Sequence, residues 1–236
     1  MSGQAQPIAS SRVAFRIGGG CGVVGALTFA AFRLNHGDLP ADDPRGALAF
    51  ITKHPFYTGV HLGAVVGAVL LVGAVVAFAH TYPDGSARVL SRLAAASAVA
   101  GLGVFGFEHT ADGVAGQGLA DAWAAAGADQ PAVELAANAA FEILRGPSII
   151  ALILMLSAPM LLLARPLLQQ RYPAWLAWAG ATLGAVLMIG GFALLFDRNL
   201  FPGAIVYGLV ASVLVPVWNA TLGLCMWLRS DPEPAH

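Results

Sequence analysis

Charge is what this sequence has least of. Asp, Glu, Lys and Arg make up 11% of its 236 residues and hydrophobic residues 58%, whereas a soluble domain carries about 25% charged residues. Too few charges remain to clothe a water-facing surface. A mean hydropathy of +0.73 points the same way, to lipid over much of the chain. The formal net charge of −1 argues against nucleic acid as a partner. Cysteine is nearly absent: Cys21 and Cys225 both sit in apolar segments, too few and too far apart for a disulfide framework or a CxxC metal motif. The polar start MSGQAQPIASS lacks the basic residues of a signal peptide. The apolar segment behind it is therefore expected to remain as the first span.

Catalytic signatures are missing too. The chain holds no HExxH, no CxxCH and no serine in a G-x-S-x-G setting, and Gly18-Gly19-Gly20 has no Lys-Ser/Thr after it to make a phosphate loop. These absences favour a non-catalytic protein.

What is present is long apolar segments. Six are long enough to cross about 30 Å of hydrocarbon: residues 13–34, 56–80, 89–107, 133–164, 175–196 and 203–228. The expected fold is all-α, a single transmembrane domain built as a six-helix polytopic bundle. Glycines crowd the first span and recur at Gly59, Gly63 and Gly67 in the second, so close helix packing is expected there. The fourth segment would be about 48 Å long if unbroken. Pro147 falls inside it, and Pro216 inside the sixth, so breaks are expected at both. Between spans one and two, Asp43 and Pro44 open a short interfacial helix. Residues 108–134 read as a long acidic loop with a helical element at 118–126.

Orientation follows from Lys and Arg. With the N-terminus inside, the inner side holds seven (Arg12, Arg16, Arg88, Arg92, Arg165, Arg171, Arg229) and the outer side four (Arg33, Arg45, Lys53, Arg198), with Arg145 at the boundary. Both termini are therefore expected in the cytoplasm, with the short helices outside.

One stretch stands out. Glu134, Asn138 and Glu142 recur at four-residue steps, and Arg145 follows three later. They fall within roughly 80° of one helix face. His61 near the start of the second span, and Glu108, His109 and Asp112 at the end of the third, come to the same outer level. Ionisable groups at membrane depth are functional candidates by default. Three readings stay open. The cluster can be structural, with Glu142 paired to Arg145, His61 donating to a carbonyl, and Glu108 and Asp112 in water. It can be a ligand site, in which His61, Glu108, His109, Asp112, Asn138, Glu142 and Arg145 line a polar pocket. Or His61 and His109 can ligate haem or a transition metal, imidazole and carboxylate suiting iron, zinc or copper.

Three pieces carry a resemblance. They are Asp112-Gly-Val-Ala with Leu-Ala-Asp121-Ala-Trp123, Tyr172-Pro-Ala-Trp-Leu-Ala-Trp178-Ala-Gly, and His61-Leu-Gly with Leu-Leu-Val-Gly. Together they resemble a widespread family of uncharacterised polytopic membrane proteins, common in actinobacteria and carrying only a domain-of-unknown-function label. The resemblance implies a multi-pass protein of a bacterial plasma membrane and is silent on activity. Expected partners are membrane lipid, a small apolar ligand, a protein, or further copies of the chain. A small-molecule transporter is a further option, because transporters also break their spans, although the two halves repeat no pattern.

Overall fold

In the computed structural model, residues 7–37, 39, 43–82, 85–197, 200 and 203–230 are described. Residues 1–6 of the polar start, and Arg198 and Asn199 of the turn before the last span, lie outside them. The protein is an all-α membrane protein with six helices long and apolar enough to cross a bilayer; the described residues contain no strand.

Helix α1 spans Pro7–Asn35, α3 Tyr57–Ala79 and α7 Ala174–Phe196, close to the expected spans. The short α2, Pro44–Thr52, starts as expected: the Asp43 side chain accepts from the Gly46 N–H at 2.8 Å, with Pro44 in the first turn.

Helix α4, Gly85–Ala125, corrects the third span. It does not stop at Phe107; it runs through the segment expected as an acidic loop. At 41 residues it is about 61 Å long, roughly twice the hydrocarbon thickness. The drop in hydropathy after residue 107 marks departure from lipid contact, while the alanine-rich sequence keeps the helix going. Gly113 and Gly116 do not break it, because both lie against α3: a Cβ on Gly113 would sit 2.7 Å from the His61 Cβ, and one on Gly116 3.2 Å from the Tyr57 ring. The helix gives way only at Ala126 and Gly127, whose φ of +54° glycine adopts without cost.

The chain returns in α5, Gln130–Leu152, a π-helical turn at Ile153–Ser157, and α6, Ala158–Gln169. The break expected at Pro147 is absent. The deformation falls just ahead of Pro159, whose ring would meet the carbonyl of Met155 in a regular helix; widening the turn removes that clash. The last span repeats the device. Between α8, Gly203–Leu209, and α9, Val215–Leu228, a π turn at Val210–Leu214 precedes Pro216.

Six crossings bring the first half of α1 and the end of α9 to one end of the bundle, where Arg16 Nε donates to Ser230 Oγ. This termini end is tied by Arg229, which donates to the carbonyls of Gln170 and Arg171 at 2.7 and 2.8 Å and lies 3.9 Å over the Tyr172 ring. Burial pushes the phenols of Tyr82 and Tyr172 up, so both stay neutral hydroxyls. The main core runs between spans around Phe29, Phe78, Phe105 and Leu163. A second, smaller core lies at the far end, where α2 (Leu48, Ile51), Tyr57, Ala120 and Ala137 pack with Trp123 and Phe141. Trp175 and Trp178 point outward from α7, 60% and 65% exposed, as an interfacial belt requires.

Candidate functional site

The site is built where α1 ends, α3 begins and α4 leaves the bilayer. Gly113 lets α4 close on α3, and the approach is fixed by Thr58 Oγ1, which donates to the Gly113 carbonyl at 2.8 Å. His61, fully buried, is thereby set against α4. Its Nδ1–H donates to the Tyr57 carbonyl at 2.9 Å, and its Nε2 lies 3.0 Å from Asp112 Oδ2. Asp112 accepts on its other oxygen from the Tyr57 hydroxyl at 3.2 Å.

A third residue completes the group, one absent from the expected set. His36, just beyond the end of α1, places its Nε2 2.9 Å from His61 Nε2 and 3.8 Å from Asp112 Oδ2. Its own Nδ1–H donates to the Gly37 carbonyl at 2.8 Å. The rule that identified His61 and Asp112, that ends of successive spans share a level, applies equally to the residue closing span one. His36 and Arg33 satisfy it.

Beside this group lies a second pair. His109 Nδ1 bonds to Glu108 Oε2, and both residues are buried. The His109 ring stacks on Phe105 at 3.7 Å, and its Nε2 is buried with no hydrogen-bond partner among the described residues. The rings of His61 and His109 pack directly, centroids 5.5 Å apart and tilted by 56°. Two axial imidazoles must face each other across an open slot for a macrocycle, and this contact leaves none. Glu108 and Asp112 do not face open water: Glu108 is buried and the Asp112 side chain is 14% exposed.

Across from α4, the stripe on α5 divides. Glu134 belongs to the far-end core, where its Oε1 accepts from Trp123 Nε1 at 2.9 Å and from Arg45 Nε at 3.0 Å. Asn138, Glu142 and Arg145 face a cavity of about 370 Å³ whose other wall includes Arg33, Glu108 and Asp112. Arg145 Nε lies 3.6 Å from Glu142 Oε2, an ion pair too long for a hydrogen bond, and has no hydrogen-bond partner among the described residues. The cavity floor is apolar, formed by Ile149, Leu152, Leu194 and Ala211. The first π turn follows directly on Leu152 of this floor, and the second contributes Ala211 to it. Tyr207 also lines it, with a buried hydroxyl that has no partner among the described residues.

Five of the seven expected site residues thus share one cavity, while His61 and His109 lie behind its α4 wall. The chain matches no protein-family model, and no curated protein or solved structure is significantly similar to it.

Proposed function

We propose that this is a plasma-membrane ligand-binding protein that holds one small amphiphile in the cavity between α4 and α5. One observation carries the reading: the cavity has a mouth of mixed charge and an apolar floor. Its volume, about 370 Å³, falls in the range of small-molecule pockets, about 300–1,000 Å³. Arg145 and Asn138 offer donors to a polar head group, and Glu142 an acceptor. Ile149, Leu152 and Leu194 offer a surface for an acyl or isoprenoid-like body. The two π turns beside the floor support a binding role, since such turns recur at functional sites. The excess of Lys and Arg at the termini end favours both termini in the cytoplasm and the cavity at the outer leaflet.

The test is native mass spectrometry of the full chain, purified in mild detergent and washed free of loosely held lipid. The wild type is expected to keep one lipid-sized adduct per chain. Ser148→Phe, which narrows the cavity, and Arg145→Leu, which removes the head-group donor, should each release it. An adduct that survives both substitutions, or a wild type that keeps none, would overturn the reading.

A further inference from the structure

We propose that His36, His61 and Asp112 form a three-ligand site for a divalent first-row transition ion, zinc or iron(II). Asp112 also stands in the wall of the amphiphile cavity, whereas His36 and His61 do not, and the metal site does not depend on that cavity being occupied.

The argument begins with where the hydrogens are. Both imidazoles use Nδ1–H to donate to a backbone carbonyl, His36 to Gly37 at 2.8 Å and His61 to Tyr57 at 2.9 Å. Each neutral ring must then carry its lone pair on Nε2. The two Nε2 atoms nevertheless face each other at 2.9 Å, and both face Asp112 Oδ2, at 3.0 and 3.8 Å. Three electron-pair donors converge on one point, and neutral rings place no hydrogen among them. A metal cation among the three would hold such a group together.

The geometry suits a metal ion. Zinc binds imidazole nitrogen at about 2.0–2.1 Å and carboxylate oxygen at about 2.0–2.2 Å. Ligands at those distances stand about 2.9 Å apart at right angles and about 3.4 Å apart around a tetrahedron. The observed separations of 2.9, 3.0 and 3.8 Å bracket these values. Two histidines and one carboxylate, with further positions left for water, are a ligand set used by catalytic zinc and by non-haem iron(II).

The surroundings suit it as well. Metal-bound histidines characteristically donate their other ring N–H to a carbonyl or carboxylate, and bound carboxylates are themselves hydrogen-bonded. Here both Nδ1–H groups reach carbonyls, and Asp112 Oδ1 accepts from the Tyr57 hydroxyl, leaving Oδ2 for the ion. An entry path exists, because His36 and Tyr57 also form part of the wall of an open cavity of about 490 Å³. His109, the partner expected from the sequence, is not one of the three residues whose ligand atoms converge within 4.8 Å of one another.

Cobalt(II), which occupies such sites and reports its coordination in visible absorption, is the probe. The full-length protein in detergent is stripped with a chelator and titrated with Co²⁺. The wild type should take up one equivalent, develop visible ligand-field bands, and lose them when Zn²⁺ is added. Replacing a supporting partner typically weakens metal binding about 10–100-fold, so removing a ligand should cost more than about 100-fold. His36→Ala and Asp112→Asn are each expected to show that loss, and Tyr57→Phe about tenfold. His80→Ala, at the opposite end of the bundle, should leave uptake unchanged. His36 lies outside the helices, so metal-free His36→Ala should still fold, read as a cooperative thermal melt. Ser148→Phe should still bind Co²⁺, which separates this site from the amphiphile cavity. Absence of stoichiometric uptake, or uptake retained in His36→Ala, would overturn the assignment and leave a cluster held by a shared proton.

Discussion

Replacing Glu134 by alanine should undock the far-end core, at a cost that can be worked out in advance. One carboxylate oxygen receives two donors from distant elements, Trp123 Nε1 at 2.9 Å and Arg45 Nε at 3.0 Å. The two are unequal. Arg45 is 65% exposed, so water and salt screen it and the ion pair is worth about 0–1 kcal/mol. The indole bond is half-buried and charge-assisted, and bonds of that kind are worth about 1.5–3 kcal/mol. Glu134→Ala should therefore cost about 2 kcal/mol and Arg45→Ala less than about 1 kcal/mol. Unfolding free energies from detergent-denaturant titration, followed by circular dichroism, would measure both. A double-mutant cycle of Glu134→Ala with Trp123→Phe should show a coupling of about 1 kcal/mol or more. If Arg45→Ala costs more than Trp123→Phe, or the cycle shows no coupling, the partition argued from exposure is wrong.

Three further substitutions test how the spans meet. Gly113→Ala should cost about 1–3 kcal/mol, because its new methyl meets the buried His61 Cβ at 2.7 Å. Gly118→Ala on the same helix, with nothing within 4 Å, should instead stabilise by about 0.5–1 kcal/mol; equal effects in the same titration would show that packing at Gly113 is not the determinant. Ser157→Ala removes a hydroxyl that donates to the Gly184 carbonyl at 2.6 Å and should cost about 0.6–1.7 kcal/mol in the folded protein, read as a modest drop in thermal midpoint.

Hydropathy alone made the six spans and the all-α class legible, because lipid demands long apolar helices with every backbone bond satisfied internally. Local chemistry made α2 legible, through the Asp43 cap and Pro44. The Glu142–Arg145 pair was legible for the same reason, since three residues along a helix are always neighbours. What hydropathy could not give was where α4 ends, because it senses lipid contact and not helicity. Residues 108–125 become polar while remaining helical. Long-range partners were equally hidden. Nothing near Glu134 announces that Arg45, 89 positions away, will reach it. His36 was hidden for another reason: a lone histidine past a helix end reads as a loop residue until the fold brings Asp112 and His61 beside it. The π turn of span four escaped because Pro147 drew the expectation of a break, whereas the distortion belongs to Pro159; in span six the deformation falls just ahead of Pro216, where a break is expected from the sequence.

Those two turns have a meaning in terms of insertion and deletion. A π turn is an α turn carrying one additional residue, so Ile153–Ser157 and Val210–Leu214 behave as single-residue insertions absorbed without shifting either flank. Ahead of the first, Ile149 and Leu152 keep facing the cavity; behind it, Leu163 and Leu167 keep facing the core. An extra residue in a regular stretch would instead rotate everything after it by about 100° and turn the core face outward. The additional residue and its proline come as a pair. A proline in a regular helix interior costs about 3 kcal/mol or more, and the widened turn is what removes that cost. Losing the residue alone leaves Pro159 or Pro216 clashing; losing the proline alone leaves a bulge with no cause; losing both restores a plain helix with each flank still in phase. Chain length in spans four and six can therefore change by one residue at these two places, and only together with the proline, while the cavity between them keeps its walls.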